Sequence, residues 1–284
     1  VKRLIVNADD FGLNPAVNRA IIDGHASGCI TSTSLMAGGP AYYEAIGMAD
    51  ACPGLGIGVH LTLVGERPVA DPSRVPSLVD GEGRLPENYL QFLARFLLGK
   101  VALAEVRCEL AAQLDKVAAD GIAVSHVDSH QHLHVFPGIL DIVLDLAAER
   151  SIRALRIPDE PLLFTGGYPF AVGRIIGRTG LSLLAGWARR KARSRGFAAP
   201  DFFFGMLAGG NMQEQYILNI INALPPGTSE IMVHPGNDDI SLQALYHWSY
   251  HWQSELAAVT GKPVLGQLAK QGIDLVSFRE LKHG

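Results

Sequence analysis

Apolar and polar positions along the 284-residue chain alternate between two patterns, short β-branched or apolar runs and longer stretches with helical spacing. The short runs at 3–8, 32–37, 56–63, 124–129, 154–157, 202–206, 230–233 and 273–278 read as strands. Segments 16–27, 101–119, 139–150, 213–223 and 246–259 read as helices between them. Such alternation favours parallel strands joined by crossover helices, and a (β/α) barrel of seven or eight strands is the simplest way to close them. No repeat or Pro/Gly-rich linker divides the chain, so 1–284 is expected to be one domain, with 69–86 as a surface loop.

Polar residues interrupt this pattern where the apolar runs end, which is where barrels of this kind build their active sites. The first strand runs into Asn7-Ala8-Asp9-Asp10-Phe11-Gly12. Strand alternation points two adjacent carboxylates to opposite faces, so one can bind a cation while the other takes a proton from water. Helix capping or turn formation is the alternative use of such a pair. The run Gly58-Val59-His60 sets one imidazole in an apolar strand, either as a ligand or as a hydrogen-bonded core residue. His126-Val127-Asp128-Ser129-His130-Gln131-His132-Leu133-His134 is denser in imidazole than packing requires. If that strand stays extended, Asp128, His130, His132 and His134 share a face. Val233-His234-Pro235-Gly236 ends a further strand on a histidine before a turn. One carboxylate and two imidazoles suffice for a catalytic metal site with a position left open.

Composition narrows the setting. The hydrophobic fraction of 48% supports one large core, and the formal charge of -4 offers no basic field for nucleic acid, so no nucleic-acid partner is expected. Cys29, Cys52 and Cys108 lack metal-ribbon or disulfide spacing, which fits a reducing cytoplasm. The apolar start 4–6 is too short for a signal-peptide core, and no window holds the roughly 20 apolar residues of a membrane span.

With these residues in view the chain resembles the YdjC-like carbohydrate deacetylases, relatives of the NodB-type polysaccharide deacetylases. The resemblance covers most of the chain and rests on Asn-Ala-Asp-Asp-Phe-Gly at 7–12, Thr-Ser-Thr-Ser at 31–34, Gly-Val-His at 58–60, Asp-Ser-His-Gln-His-Leu-His at 128–134 and His-Pro-Gly at 234–236. It implies a distorted (β/α) barrel in which Asp10, His60 and His130 bind one divalent metal ion. Zinc leads for imidazole ligands, with magnesium or another divalent ion as the alternative. It further implies Asp9 as catalytic base, His234 as general acid and Arg156 as the arginine orienting the base. Gln131 stands where the family commonly has a middle histidine. His132 and Asp128 are then expected at the sugar.

The reaction implied is hydrolysis of an acetyl group from an N-acetylated amino sugar. Trp248, Trp252 and the 171–197 segment look like the subgroup associated with hopanoid lipid biosynthesis, which suggests a lipid-linked N-acetylglucosaminyl substrate. Soluble chito-oligosaccharides are the alternative, and a metal-containing sugar-binding barrel or a metal-free glycosidase are the readings of other classes. Segment 171–197 carries Arg174, Arg178, Arg189, Arg190, Lys191, Arg193 and Arg195 without an acidic residue. It is expected either to cover the site mouth and contact the inner membrane face peripherally or to pack as an ordinary crossover helix. A homodimer stays open.

Overall fold

The structure is a computed structural model that describes residues 1–169 and 172–281. Residue 171 of the expected cover segment, and residues 282–284 of the expected domain, lie outside the described residues. In chain order the elements are β1 (Lys2–Phe11), α1 (Pro15–Ser27), β2 (Ser32–Leu35), α2 (Tyr42–Ala49), β3 (Gly56–Leu61), α3 (Tyr89–Leu97), α4 (Leu103–Ala119), β4 (Val124–Ser129), α5 (Ile139–Glu149), α6 (Val172–Ser194), β5 (Phe202–Phe204), α7 (Glu214–Ala223), β6 (Gly227–Val233), α8 (Asp239–Tyr246), α9 (Trp252–Thr260), α10 (Lys262–Lys270) and β7 (Asp274–Leu275).

All strand pairs are parallel, in the order β4-β3-β2-β1-β6-β5, with β7 on the N-terminal end of β1. The sheet curls into a distorted (β/α) barrel. An eighth strand at 154–157 does not form. That stretch makes single bridges, Val127 to Leu155 on one side and Ala154 to Ala198 on the other, and so spans the gap between β4 and the chain entering β5. The last strand is cut to two residues because Ser277 and Glu280 build a capping box that starts a 3-10 turn at Phe278. The helix expected at 246–259 is broken, since His247 and Ser249 adopt left-handed backbone (φ 50° and 55°) between α8 and α9.

Strand alternation sorts residues between two compartments. Leu4, Val6 and Ala8 of β1 join the large apolar core under the helices, together with Ile57, Val59, Val127, Ile231 and Val233. Ile5 belongs instead to a small cluster with Ala154, Ala198, Phe278 and Leu281, which plugs the N-terminal end of the barrel. Above that plug the alternate positions are polar and buried: Asn7 and Asp9 on β1, Ser32 and Ser34 on β2, His60 on β3, His126 and Asp128 on β4, Glu230 on β6. His126 stacks on Phe278 at 3.7 Å between ring centroids. Gly58 is needed beneath it, because a Cβ there would lie 2.3 Å from the His126 ring.

Candidate active site

Asp9 continues the inward series of Ile5 and Asn7, so Asp10 should point to the helices. A register break between Ala8 and Phe11 in the β1–β2 pairing, with left-handed backbone at Asp10 (φ 69°), turns its carboxylate inward too. Asp9 and Asp10 therefore face the same histidine rather than opposite sides of the sheet. His60 Nε2 lies 3.9 Å from Asp9 Oδ2 and 3.5 Å from Asp10 Oδ1. Aspartate tolerates this conformation better than most residues, and strain of this kind concentrates at functional sites.

Asp10, His60 and His130 converge, with one ligand atom from each within 4.8 Å of the others. His130 Nδ1 is 3.2 Å from Asp10 Oδ1, an oxygen that is buried and receives no hydrogen bond among the described residues. Two ligands each about 2.1 Å from a tetrahedral ion sit roughly 3.4 Å apart, close to both separations. The tautomer of His60 is fixed from behind, where Nδ1 donates to Asp128 Oδ1 at 2.8 Å and leaves the Nε2 lone pair facing the carboxylates. Burial opposes a charge on His60, but Asp128, with Asp9 and Asp10, outweighs it and lifts the imidazole to about 9. The pocket thus demands a cation, and either a proton on His60 or a metal ion can answer it.

Arg156, fully buried, ties the carboxylates together. Its NH1 and NH2 donate to both oxygens of Asp9 at 2.6 Å, NH1 also lies 2.8 Å from Asp128 Oδ2, and Nε donates to Glu230 Oε1 at 2.7 Å. Asn7 Nδ2 adds a bond to Asp9 Oδ1 at 2.8 Å, and Ser34 Oγ donates to Asp128 Oδ2 at 2.7 Å. Burial pushes the Glu230 carboxyl up to about 7, partly offset by Arg156.

The 128–134 stretch does not stay extended. β4 stops at Ser129 and the chain turns through a 3-10 segment, with Gln131 and His132 both left-handed (φ 56° and 57°). The turn splits the histidines. His130 goes to Asp10, His132 to an open cavity, and His134 folds back to Ser129 Oγ (2.6 Å) and the Arg156 carbonyl (2.9 Å). Asp128 was expected at the sugar, but it is 0% exposed and its oxygens are taken by His60, Ser34 and Arg156, so it has no surface to offer a substrate.

The cavity measures about 760 Å³, and Asp9, His60, His130, His132 and His234 all reach its wall. His234 Nδ1 has no hydrogen-bond partner among the described residues, while its backbone N–H donates to the buried Glu255 on α9. The Trp248 ring lies 5.4 Å from His130 and Tyr250 lies 5.0 Å from His234, forming an aromatic border. One face of α6 supplies the opposite wall. Its cations are largely spent on the fold: Arg174 and Arg178 donate to loop carbonyls at 207, 209, 162 and 164, and Arg189 and Lys191 pair with Asp159 and Asp141, as Arg195 just beyond the helix does with Asp145. Sequence reading quoted Asn7 and Ser34 in motifs without giving either a role, and passed over Glu230 and Glu255. The signal for Glu230 was present, since a carboxylate inside Ser229-Glu230-Ile231-Met232-Val233 must find a buried partner.

Comparison with known proteins agrees with this architecture. The sequence profile of the family described as YdjC-like protein matches residues 3–270. The chain is 33% identical over 280 residues to a carbohydrate deacetylase of Brevibacillus brevis, covering 98% of this chain and 99% of that one. It is 31% identical over 277 residues to a carbohydrate deacetylase of Geobacillus stearothermophilus, covering 97% and 96%. A crystal structure from Enterococcus faecalis V583, named as a candidate cellobiose-phosphate cleavage protein, superposes with a TM-score of 0.77 at 28% identity, covering 98% of this chain and 97% of that one.

Proposed function

The chain belongs to the YdjC-like family, and we propose that it is a carbohydrate deacetylase in which residues 1–284 act as one barrel domain around a single divalent metal ion. The observation that carries this reading is the convergence of Asp10, His60 and His130 beside a second carboxylate, Asp9, that Arg156 holds in place. The donor set suits zinc better than magnesium, because two of three ligands are imidazoles.

When bound, the ion supplies Lewis-acid activation of water and of the acetyl carbonyl. The chain's own residues do the rest. Asp9 accepts the water proton. Arg156 fixes both oxygens of Asp9, so the base is oriented before substrate arrives. Asp128 keeps His60 in the tautomer that presents Nε2. His234, whose side chain lines the cavity, gives a proton to the departing sugar nitrogen. His132 meets a substrate hydroxyl. A binding barrel without turnover would need no second carboxylate locked onto a buried arginine, and a glycosidase would need no convergent imidazoles.

The substrate in this reading is an N-acetylated amino sugar carried on a lipid, such as an N-acetylglucosaminyl hopanoid, rather than a soluble chito-oligosaccharide. Its support is an exposed apolar flank of α6, the helix that walls the cavity, where Val172, Ile176 and Leu183 are 57, 66 and 68% exposed. Peripheral contact with the inner membrane face then runs through these apolar side chains, since most cations of α6 already hold the fold. No described helix is long and apolar enough to cross a membrane.

The test is acetate release from a panel of N-acetylglucosamine conjugates, before and after chelation and with zinc or magnesium restored. Release that chelation abolishes and metal restores supports the reading. A new reducing end without acetate, indifferent to chelation, replaces it with glycoside cleavage.

A further inference from the structure

Glu230 stands in the middle of β6 with its side chain inside the curled sheet, fully buried. Its neighbours in register are Ile5 on β1 and Phe203 on β5, both buried and apolar, so neither flank offers it a donor. Oε1 accepts from Arg156 Nε at 2.7 Å, and Oε2 is buried without a hydrogen-bond partner among the described residues. A carboxyl group is costly at such a position unless its charge or its shape is used.

Charge balance argues against a free negative charge there. Asp9, Asp128 and Glu230 share one guanidinium, that of Arg156, and Asp10 lies beside Asp9 across His60. With a divalent ion at Asp10, these four carboxylates would face three positive charges, so one of them must hold a proton for the buried site to be neutral. Hydrogen-bond donors decide which. Asp9 receives three, from NH1 and NH2 of Arg156 and from Asn7 Nδ2. Asp128 is met by His60, Ser34 and Arg156. Glu230 has the single bond from Nε. Each donor favours the ionised form, so among these three the proton belongs on the carboxyl with the fewest. Burial acts in the same direction, lifting Glu230 to about 7 against the pull of Arg156, with Asp9 and Asp128 adding to the rise. An unmet hydroxyl also costs less to bury than an unmet charge.

The shape is used as well. A guanidinium is flat, and an acceptor on Nε fixes the plane in which NH1 and NH2 lie. That plane delivers NH1 and NH2 to the two oxygens of Asp9, both at 2.6 Å. We propose that Glu230 is a positioning residue for the base, held as a neutral carboxylic acid: one oxygen fixes Arg156 through Nε, and the missing charge leaves the whole cation to Asp9 and Asp128. The positioning role rests on the sugar-deacetylase reading, in which Asp9 is the base. The proton on Glu230 does not.

The test sets Glu230→Gln, which keeps an acceptor for Nε and has no charge at any pH, against Glu230→Leu, which keeps neither acceptor nor acid. In zinc-loaded protein at pH 6, Glu230→Leu is expected to lower kcat about 10–100-fold with KM and zinc content unchanged, and Glu230→Gln to recover most of that loss. Infrared spectra at the same pH should show a protonated-carboxyl C=O band that loses intensity in Glu230→Gln. Urea unfolding of chelated protein gives a third readout. The folded acid is raised above its ordinary 4.5, so its contribution to wild-type stability is full below pH 4.5 and is lost as pH rises to about 7. Glu230→Gln lacks that loss, and the two unfolding constants should diverge by about 300-fold across the window. An undiminished carboxyl band in Glu230→Gln, or no divergence with pH, would overturn the neutral acid. A kcat for Glu230→Gln tenfold or more below wild type would overturn the positioning role, whether or not Glu230→Leu folds. If wild type releases no acetate from any N-acetylglucosamine conjugate, the deacetylase reading fails, and the infrared band and the unfolding curves still decide where the proton sits.

Discussion

Replacing Asp128 by Asn separates a residue that tunes the metal site from one that touches substrate. In the native protein Asp128 Oδ1 accepts from His60 Nδ1 at 2.8 Å, while Oδ2 accepts from Ser34 Oγ at 2.7 Å and faces Arg156 NH1 at 2.8 Å. The asparagine carbonyl can still accept from His60, but its amide then meets Arg156 donor to donor. Two losses follow. His60 becomes less basic at Nε2 without a charged partner behind it, and losing such a partner typically weakens metal binding about 10–100-fold, or roughly 1.4–2.7 kcal/mol. The unmet Arg156 donor should cost about 1–3 kcal/mol of folding stability. Competition against a chromophoric zinc chelator measures the first, and urea unfolding of chelated protein measures the second without the ion. Wild-type metal affinity in the variant would refute the assignment of Asp128 as the partner that orients His60, whatever happened to turnover.

Asp9→Asn should keep metal stoichiometry and lower kcat about 10²–10⁴-fold, because an amide cannot take the water proton; near-normal acetate release would remove Asp9 from the chemistry. His234→Ala should likewise retain the ion while kcat falls by a similar factor, and metal loss in step with activity would make His234 a ligand instead. Two buried histidines should each make stability fall with acid between pH 6.5 and about 4, against the opposite contribution of Glu230 and Glu66, whose carboxyls burial lifts to about 7. Burial holds His126 near 3 and His134 near 4, so the unfolded chain binds protons in that window that the folded chain refuses. Both folded values are depressed below the unfolded 6.5, so their contribution is full above 6.5 and is lost as pH falls. The slope approaches about 1.4 kcal/mol per pH unit for each imidazole. His60, raised to about 9, is protonated in both states below pH 6 when chelated and adds no slope there. Urea unfolding across pH 4–6.5 should show a shallower slope in His126→Gln, and equal slopes would count against the assignment.

Layer order and the chemistry on offer were legible in the chain alone. Parallel strands buried on both sides need apolar residues throughout, so the polar residues left at their ends, Asp9, Asp10, His60, His130 and His234, stand out against them. Local pattern could not decide geometry that departs from regular strands. Alternation separates Asp9 from Asp10, and only the register break against β2 brings both carboxylates to His60. An extended 128–134 would have stacked its histidines on one face, whereas two left-handed residues send His130, His132 and His134 to three different partners. The resemblance pairs Arg156 with Asp9 alone, whereas its three carboxylates lie 28 or more residues away in the chain and meet only when the sheet curls. The basic stretch of α6 reads as a surface for anions because its acids, Asp141, Asp145 and Asp159, lie outside it in sequence and reach it only through packing. Residue identity is a property of the chain, but which buried charge finds which partner is fixed by the curled sheet, because desolvation forces every charge taken inside to be met there.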